Sequence, residues 1–109
     1  MTLADLIRRT PSRSRRATWG DVVIAESPST TRVDGRDYFP PDTVDWDRLV
    51  PSTHTSVCPW KGTATYFDVV DGDRRLPAAA WTYQSPTPAA TAIAGHVAFW
   101  RDVAVSRAD

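Results

Sequence analysis

Short β-branched runs, each cut off by glycine or proline, are what most limits the folds open to this 109-residue chain, which carries nine prolines and five glycines. Val22-Val23-Ile24-Ala25 suits a pleated, half-buried surface, and Ser27-Pro28-Ser29 breaks it. Thr31-Arg32-Val33 and Arg36-Asp37-Tyr38-Phe39 flank Asp34-Gly35, a pair that tolerates positive φ and predicts a two-residue hairpin turn. Pro40 and Pro41 end that strand. Asp42 is expected to cap a short turn through Val44, Trp46 and Leu49 that Pro51 stops.

Thr53 to Val57 and Thr63 to Val70 read as two further strands, joined by a bend over Cys58 to Gly62. Asp71-Gly72-Asp73 marks another turn. Arg74 to Tyr83 returns as a strand with Trp81 and Tyr83 on one face by the period of two. Ala89 to Ala94 suits a helical turn closed by Gly95. His96 to Trp100 and Val103 to Val105 are expected to form a last hairpin around Arg101-Asp102. Together these elements predict a mainly β chain, a small antiparallel barrel or a sandwich-like fold with one or two short helical turns.

The length is that of one domain able to bury a core without a disulfide, which a single cysteine excludes within the chain. Residues 1–18 read as a flexible arginine-rich arm, with Arg8, Arg9, Arg13, Arg15 and Arg16 opposed only by Asp5 and a short helical turn over Leu3, Leu6 and Ile7. Residues 19–109 then form the single mostly β domain. Thirteen basic residues balance thirteen acidic ones, so no nucleic-acid partner is expected. No apolar run reaches the roughly 20 residues of a membrane helix, and no secretory h-region opens the chain. No membrane association and a cytoplasmic location are therefore expected.

The chain has one lysine, one cysteine and one glutamate, and the first two lie in Cys58-Pro59-Trp60-Lys61-Gly62. Arginine is every other basic residue, so Lys61 marks a place for an ammonium point charge or a deprotonatable amine. Were Lys61 within about 4–6 Å of the sulfur, it would favour a nucleophilic thiolate. The alternative is a buried, inert Cys58 beside a solvated Lys61. His54 stands roughly 13 Å from Cys58 along an extended strand, too far for a hydrogen bond. One cysteine and two histidines are too scattered for zinc, and Lys61 stands where a zinc knuckle would have its second cysteine. No glycine-rich phosphate loop occurs.

Glu26, next to Ser27, could present a carboxylate at a pocket edge with Arg32 as an anion fork, or simply form a salt bridge with an arginine. Trp46, Trp60, Trp81 and Trp100, with Tyr38, Tyr66 and Tyr83, are core rings or walls of a site where a planar ligand stacks.

The succession Val23-Ile24-Ala25-Glu26-Ser27, Arg32, Asp37-Tyr38-Phe39-Pro40, Cys58-Pro59-Trp60-Lys61-Gly62, Tyr66, Ala80-Trp81-Thr82-Tyr83 and Gly95-His96-Val97-Ala98-Phe99 resembles the family named domain of unknown function 427 over about residues 19–105. The resemblance implies a compact, tent-like β domain and carries a nucleotidyltransferase-like label. Neither a paired-acid motif nor a phosphate cradle accompanies that label here. Residue by residue, it points to Glu26, Ser27, Arg32, Tyr38, Cys58, Lys61, Gly62, Tyr66 and Trp81.

The expected function is binding of an anionic or planar small ligand. Lys61 and Arg32 would meet its charge, Trp81 and Tyr38 would stack on it, and Glu26 would orient its polar groups. Two other readings are a thiol-dependent enzyme using Cys58 with Lys61, and an interaction module that self-associates through an aromatic patch or a sheet edge.

Overall fold

A computed structural model describes residues 14–108. Nine strands run in chain order: β1 (Arg15–Trp19), β2 (Val22–Ser27), β3 (Thr31–Val33), β4 (Arg36–Tyr38), β5 (Leu49–Cys58), β6 (Gly62–Asp71), β7 (Arg74–Thr82), β8 (Val97–Phe99) and β9 (Ala104–Arg107). Three short 3-10 turns, Pro41–Thr43, Trp46–Arg48 and Pro88–Ile93, complete them. The strands form three antiparallel sheets in the orders β2-β1-β9, β3-β4 and β5-β6-β7-β8. The mainly β expectation holds, and among the described residues the sheets do not close into a barrel.

Asp34 and Gly35 have φ of 52° and 77°, so the turn between β3 and β4 takes positive φ at both central residues, as a type I′ hairpin requires. That hairpin lies on the edge of the four-stranded sheet. The Phe39 and Val97 amides exchange hydrogen bonds of 2.8 and 2.9 Å, which joins the end of β4 to β8.

Period-two alternation gives the four-stranded sheet two buried faces. Phe39, Ala80, Val97 and Phe99 face a core shared with Ala17, Ile24 and Ala25 of the three-stranded sheet. Their neighbours Tyr38, Trp81 and Ala98 face the opposite way, with Ile93 and Ala90 of the last 3-10 turn beneath them. The ladder between β6 and β7 shifts register between Phe67 and Val69. There Ala78 adopts φ of 49°, and its amide donates to Asp68 Oδ1 at 2.8 Å in place of a ladder bond.

Four expectations are corrected. The arm does not extend through residue 18, because Arg15 to Thr18 pair on both sides with β2 and β9 and Ala17 is fully buried. The expected helical turn over Leu3, Leu6 and Ile7 lies outside the described residues. Pro51 does not stop a turn but sits within β5, next to a register shift between Pro51 and Thr55 that relieves the missing ladder donor. Asp45, not Asp42, caps the preceding turn, its carboxylate accepting from the Asp47 amide at 3.2 Å.

The last hairpin is also not a hairpin. Val97–Phe99 pairs with β7, whereas Ala104–Arg107 pairs with β1 in the other sheet. The turn at Arg101, with φ of 57°, instead carries the chain from one sheet to the other.

Candidate functional site

The bend after β5 is held from the far side of the chain. The Thr87 amide donates to the Lys61 carbonyl at 3.0 Å, and the Thr87 hydroxyl donates to the Trp60 carbonyl. Gly62 has φ of +111°, a conformation that L side chains rarely adopt, so glycine is what lets the strand restart against Ser85 to Thr87.

Lys61 is buried, 8 % exposed, and its ammonium donates to Asp34 Oδ2 at 2.7 Å. The Trp60 and Tyr83 rings lie 5.3 and 5.7 Å from the same nitrogen. Burial works against the charge, but the Asp34 hydrogen bond and the nearby Tyr38 and Tyr83 oxygens outweigh it and hold Lys61 above its ordinary value. The Lys61 hydrogen bond in turn holds Asp34 below the usual carboxylate range, against a smaller opposing effect of burial. This answers why the one lysine stands here. A compact ammonium fits between two rings and reaches one carboxylate oxygen, whereas a planar guanidinium would need more room.

Around this pair lies an aromatic cluster. Trp81 Nε1 donates to the Tyr38 hydroxyl at 3.2 Å, and the Trp81 ring meets Tyr38, Tyr66 and Trp100 at 6.3, 6.0 and 6.0 Å between centroids. Burial raises both the Tyr38 and the Tyr83 hydroxyl above the ordinary phenol value. Tyr38 is 1 % exposed and Trp81 9 %, so neither ring offers a free face to a stacking ligand.

Of the residues the sequence singled out, the structure brings Tyr38, Cys58, Tyr66 and Trp81 into this cluster, with Lys61 and Gly62 at its edge. Cys58 packs against the cluster as a partly buried residue. Among the described residues no hydrogen bond joins it to a histidine. His54 rests on the Tyr66 ring at 4.5 Å, and His96 Nδ1 contacts the Ala94 carbonyl at 3.1 Å.

Three residues stand elsewhere. Glu26 is exposed on β2 and pairs with Arg16 at 2.5 Å, the salt-bridge alternative of the sequence reading. Ser27 is buried, and its hydroxyl accepts from the Ser29 amide at 3.1 Å, which places it in a local turn. Arg32 donates to Asp37 Oδ2 at 3.1 Å on the β3–β4 hairpin.

An open groove of about 750 Å³ lies beside the bend. Pro51, Ser52, Gly62, Thr63, Thr65, Tyr66, Phe67, Gln84 and Ser85 line it, and no ionisable acid or base is among them apart from the Tyr66 phenol. Thr63, Thr65 and Phe67 alternate along one face of β6, beginning where Phe67 leaves the first core. Trp46, 42 % exposed, meets Phe67 at 5.7 Å with its ring plane at 74° and is fixed by its Nε1 donating to the Pro41 carbonyl at 2.8 Å.

The register sets Thr82 opposite Thr65 on the same face of the sheet, with Thr65 lining the groove and Thr82 outside its lining. Thr82 is 1 % exposed, and among the described residues its hydroxyl has no hydrogen-bond partner. Sequence reasoning missed Asp34 as a partner of Lys61 and missed the whole threonine row. Only the Thr-x-Thr alternation at Thr63 and Thr65 could have signalled an uncovered strand face.

No three His, Cys, Asp or Glu side chains converge on a possible metal position among the described residues, and no described helix is long and apolar enough to cross a membrane. The chain belongs to the family described as Domain of unknown function (DUF427), whose profile matches residues 7–109. No curated protein matches it.

Proposed function

We propose that this protein binds a small, neutral, flat and hydroxylated molecule in the groove between β5, β6 and the segment at Gln84 and Ser85. The observation that carries the reading is the lining itself: hydroxyls of Ser52, Thr63, Thr65 and Ser85 and the Gln84 amide surround an aromatic wall at Phe67, with no side-chain cation facing in. Its volume lies in the range typical of small-molecule sites. Hydroxyls and an amide supply both donors and acceptors, the pairing a polyol or a heterocyclic edge needs. Phe67, in the lining, supplies an aromatic surface for a ring.

This relocates the ligand expected from the sequence. Lys61 is already neutralised by Asp34, and Tyr38 and Trp81 are enclosed, so an anion has little to gain at the bend. The nucleotidyltransferase-like label finds no acidic pair along the groove, and the reading stays with binding rather than transfer.

Thermal shift against neutral sugars and nucleosides, each paired with its phosphorylated or carboxylated counterpart, tests the reading. The neutral members should raise the melting temperature of the wild type. Thr65→Val and Gln84→Ala should each weaken that response. No shift with any compound, or a shift indifferent to both substitutions, would remove the groove as the site.

A further inference from the structure

The four-stranded sheet has one edge that the fold covers and one that it leaves bare. Beyond β8, Phe39 fills the edge by exchanging hydrogen bonds with Val97. Beyond β5, no strand or isolated bridge pairs among the described residues. β5 is ten residues long, and from Leu49 to Cys58 it holds no Asp, Glu, Lys or Arg. The outer strands of the other two sheets each hold at least one: Glu26 on β2, Arg107 on β9, Arg32 on β3 and Arg36 on β4. Charged side chains on an edge keep other chains from pairing with it. Pro51 and the register shift before Thr55 guard the first half of β5, and Thr55 to Cys58 has neither device.

Val57 is 76 % exposed, the largest exposure of any big apolar residue described. The ladder sets Thr55 opposite Thr65 and Val57 opposite Thr63, so Thr55 and Val57 stand on the face that carries the groove. An antiparallel edge can meet a second copy of itself across a two-fold axis, which brings the same short stretch of both copies together. On a charged edge that symmetry sets like charges near one another, and this neutral edge avoids the cost. Centred on Ser56, the regular part of the strand, the pairing sets Thr55 of each copy opposite Val57 of the other. Both are β-branched side chains, which suit a pleated surface.

We infer that the protein pairs with a second copy of itself, β5 against β5 about Ser56, to make one continuous antiparallel sheet across both copies. The axis runs perpendicular to that sheet, so both grooves open on the same side. Thr55 and Val57 of the second copy then extend the groove's face past the edge of the first. The pairing does not depend on what the groove holds, so failure of either reading leaves the other standing.

The test is sedimentation velocity on the full chain from about 1 µM to 1 mM, an interval that spans weak to moderate affinities. The wild type should rise from the mass of one chain to that of two. Val57→Lys and Thr55→Asp should each weaken association by about tenfold or more, because each sets two like charges diagonally across the seam. An equal mixture of the two variants should pair again, since in this register the new ammonium of one chain faces the new carboxylate of the other. Val23→Lys, on β2, adds the same charge away from this edge and should leave the association unchanged. A wild type that stays a single chain throughout, a dimer that survives both edge variants, or a mixture that does not associate overturns the proposal. So does a single-chain species whose β5 amides resist hydrogen exchange, which would assign the edge to a segment of the same chain.

Discussion

The Lys61 ammonium lies 2.7 Å from Asp34 Oδ2, so the tip of the β3–β4 turn is tied to the bend that joins β5 to β6. The two residues are 27 positions apart in the chain, and the contact closes the aromatic cluster from above. Asp34 can make it because it occupies a positive-φ turn position, which projects its carboxylate off the hairpin end.

The pH dependence of that tie follows from the direction of the two shifts. Asp34 is lowered in the folded state, so its contribution is present above the ordinary carboxylate value of about 4 and is lost as pH falls through the lower folded value. Lys61 is raised, so its contribution is present below about 10.5 and is lost as pH rises through the higher folded value. Urea midpoints of wild type and Asp34→Asn should therefore differ by a constant amount from about pH 5 to 9 and converge toward pH 2. Added salt should shrink the difference, because the Asp34 side chain is 55 % exposed. A difference that persists undiminished at pH 2 would show that Asp34 acts through the turn and not through the ion pair.

Gly62 is predicted to tolerate no side chain without loss. A Cβ there would meet Pro86 Cα at 3.5 Å and the Ser85 carbonyl oxygen at 3.6 Å, ordinary contact distances, so the penalty comes from φ of +111° rather than from collision. Gly62→Ala should lower stability by about 1–3 kcal/mol. Gly72, at φ of +59° with nothing within 4 Å, lies in the left-handed helical region, and Gly72→Ala should have the smaller effect of the two. Equal losses by urea unfolding would mean that the restart of β6 does not need its unusual backbone.

Local signals in the sequence were enough for most elements of the fold. Asp34-Gly35, Asp71-Gly72 and Cys58-to-Gly62 each turn where their residue types favour it, and the strands between them follow. Partnering was not legible in the same way. Val97–Phe99 and Ala104–Arg107 look like a hairpin because two residues of turn character sit between them, yet each pairs with a strand of a different sheet. The site shows the same division. Lys61, Cys58, Gly62, Tyr66, Tyr38 and Trp81 do assemble, because rare and aromatic residues are visible in one dimension. Asp34, one of twelve aspartates, carries no mark that sets it apart. The groove is created by register, by which face of β6 runs on past the first core, and register is a property of pairs of strands.

Thr82 gives the sharpest separation between stability and binding. Among the described residues its buried hydroxyl has no partner, a state that costs free energy. Valine has nearly the same shape and removes the unpaired group, so Thr82→Val should raise stability by about 1 kcal/mol. Thr82 is 1 % exposed and stands outside the residues that line the groove, so its hydroxyl is enclosed beneath the site and not part of it. The same variant should then respond to the neutral ligands as the wild type does, more stable alone and equally stabilised when bound. Urea unfolding and thermal shift on one pair of proteins measure both. A Thr82→Val protein that is less stable than wild type would mean the hydroxyl is already paired within the fold.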